Sequence, residues 1–171
     1  MATQGCLCGW RGDPRVPCRC SDQAVLSYLG RLSGPLLDRI DLHIDVGRVE
    51  PDHLLASTAP AVGEWTSAAV RSRVVAARRR AQARLAGTPG VYANADLGPA
   101  LVRRHCVVRG AGRDLLRLAA EKLALTARSL DRTLKVARTI ADLAGAGEIG
   151  EEHLAEALQY RGLERVRPRA E

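Results

Sequence analysis

The sequence predicts a mainly α-helical chain, with a short amino-terminal piece carrying one strand and a cysteine-rich loop, and a bundle of helices behind it. Three observations carry that reading. From Ser67 onward apolar residues recur at steps of three and four, with glycine-bearing breaks between the runs. There is no phenylalanine and there are only five aromatic residues, so Ala, Leu and Val must build the core, which suits closely packed helices. Apolar and polar residues alternate at Ile40, Leu42, Ile44 and Val46 against Asp41, His43 and Asp45, the pattern of a half-buried strand.

Taken in order, residues 1–20 are rich in Gly, Pro, Cys and Arg and show no periodicity. Ser21 reads as the N-cap of a short helix through about Leu29. The stretch "LSGPLLDRIDLHIDV" follows at 32–46: a Gly-Pro turn, a short apolar step, then the predicted strand. Gly47, Pro51, Pro60 and Gly63 mark 47–63 as a linker or crossing loop. Val70, Val74, Ala77, Ala81 and Leu85 then form one helical stripe, ringed by Arg71, Arg73, Arg78, Arg79, Arg80 and Arg84. "GTPG" at 87–90 ends that helix, a short one follows around Leu97–His105, and "RGAGRD" at 109–114 reads as another break. Leu116, Ala119 and Leu123 mark the next helix. Leu130, Leu134, Ala137, Ile140, Ala141 and Ala144 mark one stopped by "GAG" at 145–147, and Leu154, Ala157 and Leu158 mark the last. Short connections of this kind favour antiparallel neighbours. The expected organisation is a first unit at 1–50, a linker at 51–66, a helical unit at 67–163 and a frayed tail at 164–171.

Charged residues at 26% and hydrophobic ones at 46% exclude a disordered chain. The net charge of +7 is carried almost wholly by arginine, since Lys122 and Lys135 are the only lysines. It suits an anionic partner, nucleic acid or nucleotide phosphate, and equally an Arg- and Ala-rich genome. No apolar run approaches the roughly 18 residues of a membrane span and no signal-peptide pattern opens the chain, so a cytoplasmic protein without a membrane partner is expected.

Four places offer chemistry. Cys6, Cys8, Cys18 and Cys20 form two C-x-C pairs separated by nine residues, enough thiolates for a closed tetrahedral zinc site. Free or redox-active thiols fit the same spacing, whereas Cys106 stands apart and reads as a core residue. Arg39 lies where a loop enters the predicted strand; it either pairs with Asp38 or Asp41 or turns outward to an anion. Arg128 falls in the first turn of the helix that Thr126 caps. A cation there opposes the helix dipole at a cost of about a few tenths of a kcal/mol, which a bound anion would offset. Arg132, one turn on, could support that contact. The arginines of 67–86, Arg71, Arg78 and Arg79 among them, suit either a nucleic-acid backbone or a solvated helix face.

Together "CLCGWRGDP…CRC", "YLGRLSGPLLDRIDLHIDV" and "LTARSLDRTLKVARTIADL…HLAEALQYR" resemble the ComM-type (YifB) magnesium-chelatase-like AAA+ ATPases, in the right order and over nearly the whole chain. The resemblance implies that 1–50 is the last part of an AAA+ α/β core and 67–163 its helical lid. It implies that Arg39 is an arginine finger, reaching a neighbour's γ-phosphate, and that Arg128 is a sensor 2 touching nucleotide phosphates within its own subunit. It implies ATP and Mg²⁺ as cofactors of the whole protein, a homo-oligomeric ring of six subunits, and DNA as substrate. The family's G-x-x-x-x-G-K-[ST] loop and its acidic Mg²⁺-holding strand do not occur in these residues, and Gln4-Gly5 stands where the family has Asn-Pro. The expectation is a chain that hydrolyses no ATP alone, is completed by a separate chain bearing the P-loop or is a truncated piece, and relates to DNA branch migration in transformation. The competing expectation is a small zinc-bearing nucleic-acid-binding module without enzymatic activity.

Overall fold

The structure, a computed structural model, describes residues 2–55 and 65–161. The first unit holds helix α1 (Asp22–Leu29), the single turn α2 (Gly34–Leu37) and the short helix α3 (Pro51–Leu55). Ser21 caps α1 as its sequence position demands, its Oγ accepting the Ala24 N–H at 3.2 Å. The segment expected to be a linker thus opens with a helical turn. The rest of it, and the tail, lie outside the described residues.

The predicted strand is not formed. Between Ile40 and Glu50 the chain adopts neither helix nor ladder, and among the described residues the isolated bridge is Val108 with Ile149. Leu42, Ile44 and Val46 are 46, 67 and 88% exposed, while His43, on the polar side of the alternation, is half-buried. The physical reason is that strand donors and acceptors need a neighbouring strand, and the described residues offer none.

The second unit is the predicted bundle: α4 (Ser67–Leu85), a 3₁₀ turn (Asn94–Asp96), α5 (Pro99–His105), α6 (Gly110–Lys122), α7 (Ala127–Ala144) and α8 (Glu151–Gln159). The α4 stripe is buried only in its second half. Ala77, Ala81 and Leu85 are buried, whereas Val70 and Val74 are exposed. The expected break at 109–114 is also corrected: Gly110 alone makes the turn, at φ 53°, and opens α6. At the other end of α6 the Leu125 N–H returns to the Ala120 carbonyl at 3.0 Å. That closure places Ala124 at φ 49°, a left-handed position normally given to glycine.

Helix α7 is the centre of the bundle, packing on α8, α4 and α5. Ala137 and Ala141 are fully buried in it, small enough to bring neighbouring helices close. Leu85, Leu97, Val102, Cys106, Leu154 and Leu158 complete the core around them. Cys106 is therefore the core residue its isolation suggested, and burial pushes its thiol up to about 11.

A buried polar cluster crosses this core. Asp142 accepts two hydrogen bonds from Arg84, at 2.7 and 2.6 Å, and one from Asn94 Nδ2 at 2.9 Å, with Arg138 at 3.1 Å on the same carboxylate. Burial alone would raise the Asp142 carboxyl; the Arg84 and Asn94 hydrogen bonds and the Arg138 charge reverse this and hold it below the ordinary carboxylate range. Arg80 adds a bond to the Asp142 carbonyl at 3.1 Å. Of the arginine ring on α4, Arg84 is thus turned inward, and the exposed Arg80 reaches across to α7.

Candidate functional site

Arg39 stands just beyond α2. Its N–H closes the turn on the Leu36 carbonyl at 2.9 Å, and the buried Leu37 roots that turn. The side chain is exposed, with Nη1 donating to the Pro35 carbonyl at 3.0 Å. Among the described residues it forms no ion pair, so the local pairing with Asp38 or Asp41 is not the one adopted. A single bond to a surface carbonyl leaves most of the guanidinium fork for an incoming anion.

Arg128 is placed where the sequence put it. Thr126 caps α7, its Oγ1 accepting the Ser129 N–H at 3.1 Å, and Arg128 is exposed in the first turn. The amides of Ala127 and Arg128 have no intrahelical carbonyl to bond, and among the described residues the Arg128 guanidinium has no carboxylate partner. Arg132 does not join it. Its Nη1 is held by the Asp41 carboxylate, two residues past Arg39. One ion pair therefore links the surroundings of the two candidate arginines, one helical turn from Arg128 on one side and two residues from Arg39 on the other.

Two further contacts tie the same places together. The His43 N–H donates to the Tyr160 carbonyl at 2.8 Å, and the fully buried Arg161 donates through Nη1 to the Ile40 carbonyl at 2.7 Å. None of these partners stood out in the sequence. A residue pair 121 positions apart leaves no local pattern, and Arg161 reads as one more basic residue near the tail. The Asp142 cluster did leave a trace, because Arg138 and Asp142 are spaced i,i+4 beside the Ala137–Ala141 stripe.

The cysteines converge. The sulfurs of Cys6, Cys8, Cys18 and Cys20 all lie within 4.8 Å of one another. Cys6 to Cys8 is 3.4 Å, and Cys18 is 3.6 Å from each. A tetrahedron of sulfurs about 2.3 Å from a zinc ion has edges of about 3.8 Å, so the group has the size a metal ion needs. Left-handed Gly9 and Gly12 make the turns that bring the pairs together. Backbone N–H groups of Trp10 and Arg19 point at the Cys8 sulfur and lower its thiol to about 6. Cys18 is pushed up to about 11: the Cys20 N–H opposes this, but desolvation and the neighbouring sulfurs prevail. Four thiols that cannot all ionise together by themselves could do so around a bound cation. The loop is pinned by Arg15 to Glu50, by Arg48 to Asp13 at 3.5 Å and by Arg48 over the Trp10 ring at 5.7 Å.

On α4, Arg71, Arg78 and Arg79 are exposed, and Arg71, Val75 and Arg79 line a shallow open groove along the helix. Among the described residues no helix is long and apolar enough to cross a membrane.

Residues 64–161 match the profile described as magnesium chelatase, subunit ChlI C-terminal, and residues 1–54 match that of magnesium chelatase, subunit ChlI. The chain belongs to this family. Within it the chain is similar to the competence protein ComM of Haemophilus influenzae, with 43% identity over 86% of this chain and 28% of ComM. It is 38% identical to the uncharacterized protein YifB of Salmonella typhimurium over the same shares, 86% and 28%. An uncharacterized Mycobacterium bovis protein, Mb2921c, is 39% identical over 94% of this chain and 30% of its own length. The chain thus spans less than a third of the length of these relatives. The bundle of α4 to α8 is its share of the family's C-terminal helical domain.

Proposed function

We propose that these residues supply the arginine half of an AAA+ ATPase site in a ComM-type ring motor acting on DNA. Arg39 serves as the finger that reaches a neighbouring subunit's γ-phosphate, and Arg128 as the second phosphate-reading cation. The observation that carries this reading is that both guanidinium groups are exposed and carboxylate-free among the described residues, while Arg132, which lies between their surroundings, is tied to Asp41. The exposed alternation at Leu42, Ile44 and Val46 supports it too, since it is how a strand of an α/β core looks away from its sheet. ATP and Mg²⁺ belong to the P-loop half, which these residues do not contain. Charge developing on the transferred phosphoryl group is what Arg39 stabilises there.

The four cysteines hold a structural zinc ion that fixes the 6–20 loop against Arg48 and Glu50, downstream of the finger. When bound, zinc supplies cross-linking rather than chemistry, because four protein sulfurs leave no open position. About one zinc per chain is expected in protein purified without chelator; a content near zero removes the site.

The deciding experiment is ATP turnover. The 171-residue chain alone is expected to show none above background. Mixed with a P-loop-bearing family polypeptide whose own finger is replaced by alanine, it is expected to restore magnesium-dependent turnover, and Arg39→Ala is expected to lose about a thousandfold of it. Turnover by the chain alone, or full activity with Arg39→Ala, refutes the assignment. The exposed Arg71, Arg78 and Arg79 favour one alternative, a nucleic-acid-binding module without enzymatic activity. That module would hold DNA without nucleotide and with a steep salt dependence.

A further inference from the structure

We propose that the helical lid itself aims the arginine finger, with Arg132, Tyr160 and Arg161 as positioning residues for Arg39. This rests on the reading of Arg39 as the finger. The strand predicted just downstream of Arg39 is not formed, so it cannot fix the direction of the finger. Upstream, Arg39 follows the single turn α2, which the buried Leu37 roots. Downstream, among the described residues, the lid reaches the next four residues through three long-range contacts: Arg161 on the Ile40 carbonyl at 2.7 Å, Arg132 on the Asp41 carboxylate, and the Tyr160 carbonyl on the His43 N–H at 2.8 Å.

The chemistry makes this a grip rather than a chance touch. An arginine stays charged in a protein and carries five donors, so a fully buried one needs strong acceptors. Arg161 finds the peptide carbonyl next to Arg39. Tyr160 and Arg161 directly follow α8, whose Leu154 and Leu158 are locked in the core against α7. Helix α7 carries both Arg132 and Arg128. The α7–α8 pair therefore joins the phosphate-reading end of the lid to the residues flanking the finger. A lid displacement that engages Arg128 carries Arg39 with it, which would tell one nucleotide site the state of another.

The surface pair Asp41–Arg132 gives a test that spares the fold. Asp41→Arg, Arg132→Asp and the double reversal are compared by amide hydrogen exchange in the full chain. Each single reversal is expected to speed exchange of the His43 N–H about tenfold, and the double to restore it, while the Leu154 amide stays as protected as in the parent. In the mixed assembly, each single reversal is expected to lower kcat about tenfold with KM for ATP unchanged, and the double to recover kcat. Parent-like exchange in the singles, or no recovery in the double, overturns the grip. Altered exchange with parent-like kcat overturns the aiming role. An assembly that fails to turn over even with the parent chain overturns the motor reading and the aiming role with it, while exchange still decides the grip.

Discussion

The lid and the finger segment solve the same problem, holding a chain in place, by opposite means. In the lid, Ala137, Ala141 and Leu154 are wholly buried and each helix bonds its own backbone. In the finger segment, apolar side chains at Leu42, Ile44 and Val46 face outward and the backbone borrows partners from Tyr160 and Arg161, just after α8. A helix completes its hydrogen bonds alone, so an apolar stripe is enough to specify it. A strand completes them only with a neighbour, so alternation specifies a strand only where a sheet exists. The same hydrophobic code is thus decisive in one region and conditional in the other.

The sharpest way to break this contrast is at Asp142. Replacing it with alanine leaves Arg84 and Arg138 without their shared carboxylate inside the bundle. The expected cost is about 3–5 kcal/mol, read by chemical denaturation, with cooperative loss of α4 and α7 signals. The pH dependence follows from the lowered Asp142 carboxyl. A group that titrates lower folded than unfolded stabilises fully above its unfolded value of about 4 and loses that contribution as pH falls through its folded value. The stability gap between parent and Asp142→Asn is therefore expected to be flat near neutrality and to shrink only in acid. A gap that widened in acid would contradict the arrangement of charges.

Much of this was legible in residues read one at a time. Ser21, Thr126 and Gly145 mark helix ends through local hydrogen bonding, and their positions in the sequence already say so. The cysteine pairs announced their convergence because spacing and glycine turns are local properties. Arg128 was visible as a cation at the wrong end of a helix dipole. What stayed hidden was relational. Nothing near Arg161 names Ile40, nothing near Asp41 names Arg132, and nothing in 70–84 says that Arg84 turns in while Arg79 turns out. Gly110 misled in the other direction, since a glycine that ends one element also opens the next.

A smaller effect sharpens the picture of the lid as self-sufficient. Ala124 occupies a left-handed turn between α6 and α7 at φ 49°. An L residue there costs about 1–2 kcal/mol that glycine avoids, less what glycine loses in unfolded-chain entropy. Ala124→Gly is expected to stabilise the chain by about 0.5–1 kcal/mol in the same denaturation measurement. A destabilising result would mean that the methyl group packs more than its backbone strains.

The smallest effect tests the finger segment's half of the comparison. Ile44 and Val46 are 67 and 88% exposed, so changing both to serine removes little buried surface. The isolated chain is expected to lose no more than about 0.5 kcal/mol, against about 2–5 kcal/mol for Leu154→Ala in the core. In the assembly completed by a P-loop polypeptide the same two changes should matter, because a core sheet would cover the face they remove. Normal folding alone with weakened recruitment of that polypeptide is the expected pattern. A loss well above 1 kcal/mol in the isolated chain would mean that the alternating face is already buried, and that Arg39 is followed by a strand after all.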